Sequence, residues 1–277
     1  MKQVTIIKQD GTAEAFDVEK LRRSLRRSGA SDTATQEVIV KIEAELKDGM
    51  TTDVIYKHAF KHLEDVERPV AAKYSLKRAI LALGPSGYPF ENFIAEILKA
   101  KGYKDIKVGT MVQGECVEHE VDILAEIKGK KIGAEIKFHN KLSIASDLKV
   151  ALYVHSRFED IRKKEQKDGK ELISEDWLIT NTRFSKNAIK YSKCVGMKLI
   201  SWNYPKGEGL QDLIDETGIH PITALTTLTS AQKVKLMKKG IVLCRNLEEN
   251  DNALKSIGLK GQKLEDIMKE SQGLCKV

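Results

Sequence analysis

Apolar positions recur at two different periods along this chain, and the switches between them divide it into three sections. Val4-Thr5-Ile6-Ile7 reads as a strand, Asp10-Gly11 as a turn and Ala13–Phe16 as its return, which predicts a short hairpin. Helical spacing then takes over: Val18, Leu21 and Leu25 behind an N-cap at Asp17, then Val38, Ile42 and Leu46, then Ile55, Ala59 and Leu63 behind Thr51-Thr52-Asp53. Residues 70–83 read as a fourth helix. Gly84-Pro85-Ser86-Gly87-Tyr88-Pro89 stops this pattern, because Pro and Gly break helices and four of them fall within six positions.

Beyond that breaker the pattern predicts a helix over 90–100, strands over 117–127 and 131–139, and a helix near 143–164. A strand over 177–180, a helix from Ser185 and a strand over 198–202 follow. This alternation describes an α/β domain. From about 207 onward Leu225, Leu228, Val234, Leu236, Leu243 and Leu247 suggest short helices turning at Gly240. The expected fold class is therefore α/β multidomain, with divisions at 1–84, 85–206 and 207–277.

Composition narrows the class. The 277 residues carry 47 Lys+Arg against 40 Asp+Glu, and the net charge of +7 favours a polyanionic partner only mildly because both signs are abundant. Cys116, Cys194, Cys244 and Cys275 are scattered, with no Cys-x-x-Cys pair, so neither a zinc ribbon nor a disulfide scaffold is indicated and a cytoplasmic location is expected. No window approaches the ~18 apolar residues of a membrane span.

The sharpest chemistry lies between His119 and His139. Strand alternation places Val121, Ile123, Ala125 and Ile127 on one face and Asp122 on the other; Ile132, Ala134, Ile136 and Phe138 likewise oppose Glu135 and Lys137. A turn at Lys128-Gly129 sets Asp122 opposite Glu135, and a turn at Gly129-Lys130 sets it opposite Lys137. Either way three charges share a face. Directly opposed Cβ atoms lie about 4.5–5.5 Å apart, close enough for two carboxylates to hold one Mg²⁺ or Mn²⁺ completed by water and phosphate oxygens. Lys137 would then orient the attacking water or stabilise developing charge. On the preceding helix, a rotation of ~100° per residue puts Phe93, Ile94, Ile97 and Leu98 on one arc with Glu91 at its edge. A solvated amphipathic hairpin explains the same charges without catalysis. His119 and His139 lack zinc-ligand spacing and read as local hydrogen-bonding residues.

Phe90-Glu91, Gly102-Tyr103, Asp122, Glu135-Ile136-Lys137, Ile179-Thr-Asn181-Thr182-Arg183-Phe184-Ser185 and Leu199-Ile-Ser-Trp202 together resemble the Mrr-like branch of PD-(D/E)xK restriction endonucleases, over about 88–204. The resemblance implies a restriction-endonuclease-like α/β fold in which Asp122 and Glu135 ligate the metal, Lys137 completes the catalytic set and Glu91 is an auxiliary acid.

Residues 3–83 resemble the ATP-cone domain, through Val4, Lys8-Gln9-Asp10-Gly11, Glu14, Phe16-Asp17, Lys20-Leu21, Gly49-Met50-Thr51-Thr52 and the run Ala72–Ala79. By that resemblance ATP or dATP binds there. Lys8 and Lys20 suit triphosphate neutralisation, Glu14 and Asp17 suit base or ribose, and Thr51 offers a hydroxyl at a helix start. Gln9 stands where the family usually carries Arg. A folded cap that binds nothing is the plainer alternative. Arg22, Arg23, Arg26 and Arg27 form i, i+4 pairs that suit phosphates or a solvated face equally. Residues 221–242 are similar to a helix-hairpin-helix unit, which grips DNA phosphates through backbone and Lys without reading bases; an interdomain or dimerisation bundle suits them as well.

The expectation is a Mg²⁺-dependent DNA endonuclease, possible as a homo-oligomer, regulated by ATP or dATP at the cone. The competing expectation is a non-catalytic, nucleotide-responsive DNA-binding regulator on a nuclease-like scaffold.

Overall fold

The computed structural model describes residues 4–8, 10–170 and 173–275. Contacts group the chain into two units: one runs to Ala79 and takes in the segment from Ile222 on, and the other is Ile80–Pro221. This grouping differs from a three-way division at 84 and 206, since the C-terminal helices cluster with the N-terminal section.

In the first unit, β1 (Thr5–Ile7) pairs antiparallel with β2 (Ala13–Ala15) around Gly11, whose φ of 83° needs a residue without Cβ. Helices α1 (Val18–Arg27) and α2 (Asp32–Glu45) follow, each started by a side-chain cap: Asp17 accepts from the Glu19 and Lys20 amides, and Ser31 from Ala34. The two-residue β3 (Met50–Thr51) then returns parallel to β1, a pairing too short to leave a period in the sequence. Thr51 also caps α3 (Thr52–Val66) by accepting from the Val54 amide. The segment expected as one helix over 70–83 is two, α4 (Arg68–Tyr74) and α5 (Leu76–Leu81), broken at Ser75, whose hydroxyl donates to the Ala72 carbonyl.

The second unit begins with α6 (Tyr88–Ala100) and builds a five-stranded sheet from β4 (Lys104–Gln113), β5 (Glu118–Ile127), β6 (Lys130–Lys137), β8 (Ile173–Thr180) and β10 (Lys198–Ile200). The order is β10-β8-β6-β5-β4, antiparallel through β4-β5-β6 and parallel from β6 through β8 to β10. The small strands β7 (Ala145–Ser146) and β9 (Arg183–Phe184) pair with each other. Helix α7 (Leu148–Lys167) makes the crossover from β6 to β8, α8 (Lys186–Val195) the one from β8 to β10, and α9 (Leu210–Thr217) closes the unit.

The two sheet faces are covered by different helices. Phe138 meets Phe90 of α6 with ring centroids 5.5 Å apart. On the opposite face Gly133 leaves room for α7, because a Cβ there would lie 2.3 Å from the nearest atom of the Phe158 ring. Val121, Val154, Phe158, Ile161, Ile173 and Leu178 form the core on that side, each fully buried. Burying such side chains contributes about 1.5–3 kcal/mol apiece relative to exposure, which seats α7 against the strands.

The C-terminal segment of the first unit is helical: a 3₁₀ turn at Ile222–Ala224, then α10 (Ser230–Met237), α11 (Asn246–Glu249), α12 (Asp251–Ser256) and α13 (Gln262–Cys275). Consecutive alanines on α4 serve two cores. Ala71 packs with Leu25, Ile39 and Leu63, while Ala72 packs with Leu225, Leu236, Ile267 and Leu274. Thr223 Oγ1 adds a 2.7 Å hydrogen bond to the Ala79 carbonyl. Among the described residues no helix is long and apolar enough to cross a membrane.

Candidate functional site

The β5-β6 turn decides which charges meet. Ile127 pairs with Lys130, and Lys128 and Gly129 both take positive φ (50° and 72°), the two-residue geometry that matches strand twist. The register then runs to Ile123 opposite Ala134, so the next step sets Asp122 across from Glu135. Of the two turns compatible with the sequence, the structure has the one at Lys128-Gly129. Asp122 Oδ2 accepts a 2.6 Å hydrogen bond from the Ile136 amide, tying the carboxylate to β6.

Glu135 is only 8% exposed, so it is no part of a solvated face. Helix α7 supplies its partners. Tyr153 Oη donates to Glu135 Oε1 at 2.7 Å, and Arg157 Nη1 pairs with Oε2 while also donating to the Glu120 carbonyl at 3.0 Å. The Lys137 side chain makes no hydrogen bond or ion pair among the described residues.

Negative charge is in excess here. The Asp122 carboxyl is pushed up from 3.8 to about 7, first by burial and then by the charge on Glu135; the Ile136 amide opposes, Glu91 adds to the rise, and Arg157 opposes. Glu91, in the first turn of α6, is raised by burial and then by Glu120 and Glu135. The structure thus brings Asp122 and Glu135 onto adjoining strands and sets Glu91 within their electrostatic reach. A preformed cage is not present: among the described residues no group of three or more His, Cys, Asp or Glu is arranged to hold a metal.

Tyr153 and Arg157 are the residues sequence reasoning missed. Their signal was available, since i, i+4 spacing on the helix after the hairpin puts both on one face. The histidines are locally engaged as their spacing suggested. His119 bonds Asp160 at 2.8 Å and His139 bonds Ser146 at 2.9 Å, with the His139 amide held by Asn181.

In the first unit Lys8, Glu14 and Lys20 converge: Glu14 lies 2.6 Å from Lys8 Nζ and 3.4 Å from Lys20 Nζ. The Lys8 bond holds the Glu14 carboxyl below its ordinary range. Thr51 stands beside β1, paired with Ile7, but its hydroxyl is committed to the α3 cap, as Asp17 is to the α1 cap. Gln9 lies outside the described residues. Arg22 and Arg26 pair with Glu19 and Asp32 at 3.1 and 2.9 Å, so neither is a bare phosphate ligand. Arg78 stacks 3.7 Å over the Tyr56 ring and reaches Asp53 at 2.5 Å. In the C-terminal segment Lys233 points inward to the Thr223 carbonyl at 2.9 Å, and Glu270 grips the Thr226 and Thr227 amides.

Comparison with known proteins agrees with part of this picture. The ATP cone domain family matches residues 4–82, and the family described as AF1548-like, C-terminal, matches residues 220–275. An uncharacterized protein of Archaeoglobus fulgidus is 36% identical over 180 residues, covering 65% of this chain and 98% of that protein. The chain belongs to the AF1548-like family. A crystal structure of the protein of unknown function AF1548 is 34% identical, with a TM-score of 0.55 over 69% of this chain and 98% of that one. This AF1548-like protein therefore carries an ATP cone at its N-terminus and a family-specific helical C-terminus, and the cone supports nucleotide binding with a regulatory role.

Proposed function

We propose that this AF1548-like protein is a metal-dependent DNA endonuclease of the PD-(D/E)xK type, controlled by ATP or dATP at its cone. The observation that carries the reading is Asp122 on β5, one step beyond the Ile123–Ala134 pair, beside a buried Glu135 on β6, with Lys137 two residues further along that strand. Setting a half-buried Asp122 beside a buried Glu135 is costly unless something offsets their charge. A hard divalent cation suits this pair: Mg²⁺ takes one or two carboxylates and completes its shell with water and phosphate oxygens, so a third protein ligand is not needed. When bound, such a cation would lower the pKa of water and neutralise charge on the phosphate.

The chain's own residues supply the remainder. Asp122 and Glu135 orient the cation, with Asp122 itself fixed by the Ile136 amide. The Lys137 ammonium stabilises charge developing on the scissile phosphate. Glu91 adds negative potential at the edge of the site. Nucleotide at the cone would draw Lys8 and Lys20 away from Glu14, exchanging a carboxylate for a triphosphate.

One observation favours a second reading. Both Glu135 oxygens already have donors, from Tyr153 and Arg157, as expected of a non-catalytic DNA-binding regulator that retains a nuclease-like scaffold. Plasmid and linear DNA incubated with Mg²⁺ or Mn²⁺, with and without ATP or dATP, separates the two. Cleavage lost in Lys137→Ala supports the endonuclease. Nucleotide-sensitive DNA retardation without cleavage under either metal supports the regulator.

A further inference from the structure

We propose that Arg157 is a displaceable internal counter-ion: it pairs with Glu135 in the cation-free protein and gives up that carboxylate when a divalent cation binds. The inference rests on the endonuclease reading of Asp122 and Glu135, and it assigns α7 a role in gating that site.

Four observations converge. Arg157 is ion-paired directly with the buried Glu135, on the strand beside Asp122. It occupies Glu135 Oε2, an oxygen a metal would need, while Tyr153 occupies Oε1. Its side chain is 23% exposed and its neighbour Tyr153 is 39% exposed, so the guanidinium has a route to water. Its second bond is to the carbonyl of Glu120, an exposed position on β5, and exposed main-chain acceptors can take water instead.

The chemistry requires a choice at Glu135. A guanidinium and a divalent cation within a few ångströms of one carboxylate repel each other, and an opposite charge at about 4–6 Å is worth one to three powers of ten in proton affinity. The same scale applies to a competing cation. Once released, Arg157 retains five donors in a planar fork, the geometry that matches a phosphate. Tyr153 differs, because its phenol can keep bonding Oε1 through the second lone pair while a cation takes the other side.

The test is Mn²⁺ alone, titrated into the full chain by calorimetry in the absence of DNA. Arg157→Gln should bind Mn²⁺ about tenfold more tightly than wild type, at the low end of the charge effect because the site is partly open to solvent. Arg157→Lys, which retains the charge, should stay near wild type. An Arg157→Gln affinity equal to or weaker than wild type overturns the proposal. A measurement on unaltered protein guards against a misfolded variant: the Arg157 side-chain N–H resonance should lose its ion-paired character at saturating Mg²⁺, and its persistence overturns the proposal as well. Asp122→Asn separates the two layers. Mn²⁺ binding that Asp122→Asn leaves intact would remove the site and the latch together, whereas binding that needs Asp122 but ignores Arg157→Gln would remove the latch alone.

Discussion

Replacing Asp122 by Asn should stabilise the cation-free protein, and only above a defined pH. Burial and the neighbouring Glu135 raise this carboxyl from 3.8 to about 7. Between those values the folded chain binds a proton that the unfolded chain has released, so stability falls as pH rises through the window and the full penalty stands above about 7. Three units at about 1.36 kcal/mol each give an upper bound near 4 kcal/mol. The carboxyl is only partly shielded from water, so screening reduces this to about 1–2 kcal/mol. Asn is close to isosteric and its Oδ1 can accept from the Ile136 amide, which leaves the existing hydrogen bond in place. For a unit of this size about 1 kcal/mol moves the melting temperature by roughly 2–4 °C, so Asp122→Asn should melt several degrees above wild type at pH 8. The gain should shrink steadily toward pH 4. Thermal unfolding followed by circular dichroism across pH 4.5–8.5 measures it. A difference independent of pH, or a variant less stable at pH 8, would refute the reasoning that Asp122 is a buried charge held against its electrostatic preference.

Other substitutions probe the remaining elements. Mn²⁺ at about a hundred times its dissociation constant should stabilise wild type by about 2.7 kcal/mol in the same melts and leave Asp122→Asn almost unmoved. Gly133→Ala should cost about 1–3 kcal/mol, because the added methyl meets Phe158 and pushes α7 off the strand that carries Glu135; unchanged denaturant midpoints would contradict that packing. Lys20→Ala should weaken ATP binding by roughly ten- to a hundredfold in calorimetry, the scale of one charged hydrogen bond, without altering Mn²⁺ affinity. Glu270→Gln should lower stability by about 1–3 kcal/mol, since it removes the charge that the Thr226 and Thr227 amides bind, and unfolding curves that superimpose would argue otherwise.

Much of the fold was legible where a period or a breaker was strong. The opening hairpin, the caps at Asp17 and Thr51, the helix after Gly87 and the two strands flanking Lys128-Gly129 all leave local marks that one sequence displays. The strand β4 left a weaker one. It alternates Ile106, Val108 and Val112 along a sheet edge, but Gly109, the bulge after Lys104 and the positive φ of Asp105 interrupt the rhythm that identifies a strand. Ser75 split a continuous helical pattern because its hydroxyl competes for a backbone carbonyl, a conflict that apolar spacing does not record.

The site divided along the same line. Alternation placed Asp122, Glu135 and Lys137 on one face, yet could not say what covers that face. Coverage depends on α7, which lies in sequence beyond the hairpin and packs on it through contacts such as Phe158 against Gly133. Tyr153 and Arg157 therefore entered through tertiary packing, as did the burial that raises Asp122. In the C-terminal segment the spacing gave helices but not their allegiance: that they pack with the first unit is written in single alanines and a threonine, Ala72, Ala79 and Thr223, rather than in any motif.

The proposed activity is hydrolysis of DNA by the Asp122–Glu135–Lys137 face with a divalent cation. Its most direct measurement is nicking of supercoiled plasmid by the full chain in Mg²⁺, set beside Lys137→Ala, which removes a side chain that has no hydrogen-bond or ion-pair partner among the described residues. Wild type should nick the plasmid, EDTA should abolish the nicking, and Lys137→Ala should reduce it by at least about a hundredfold, the scale of one preorganised charge at a transition state. Equal nicking by both proteins, or none by wild type in Mg²⁺ or Mn²⁺ with any nucleotide present, would contradict it.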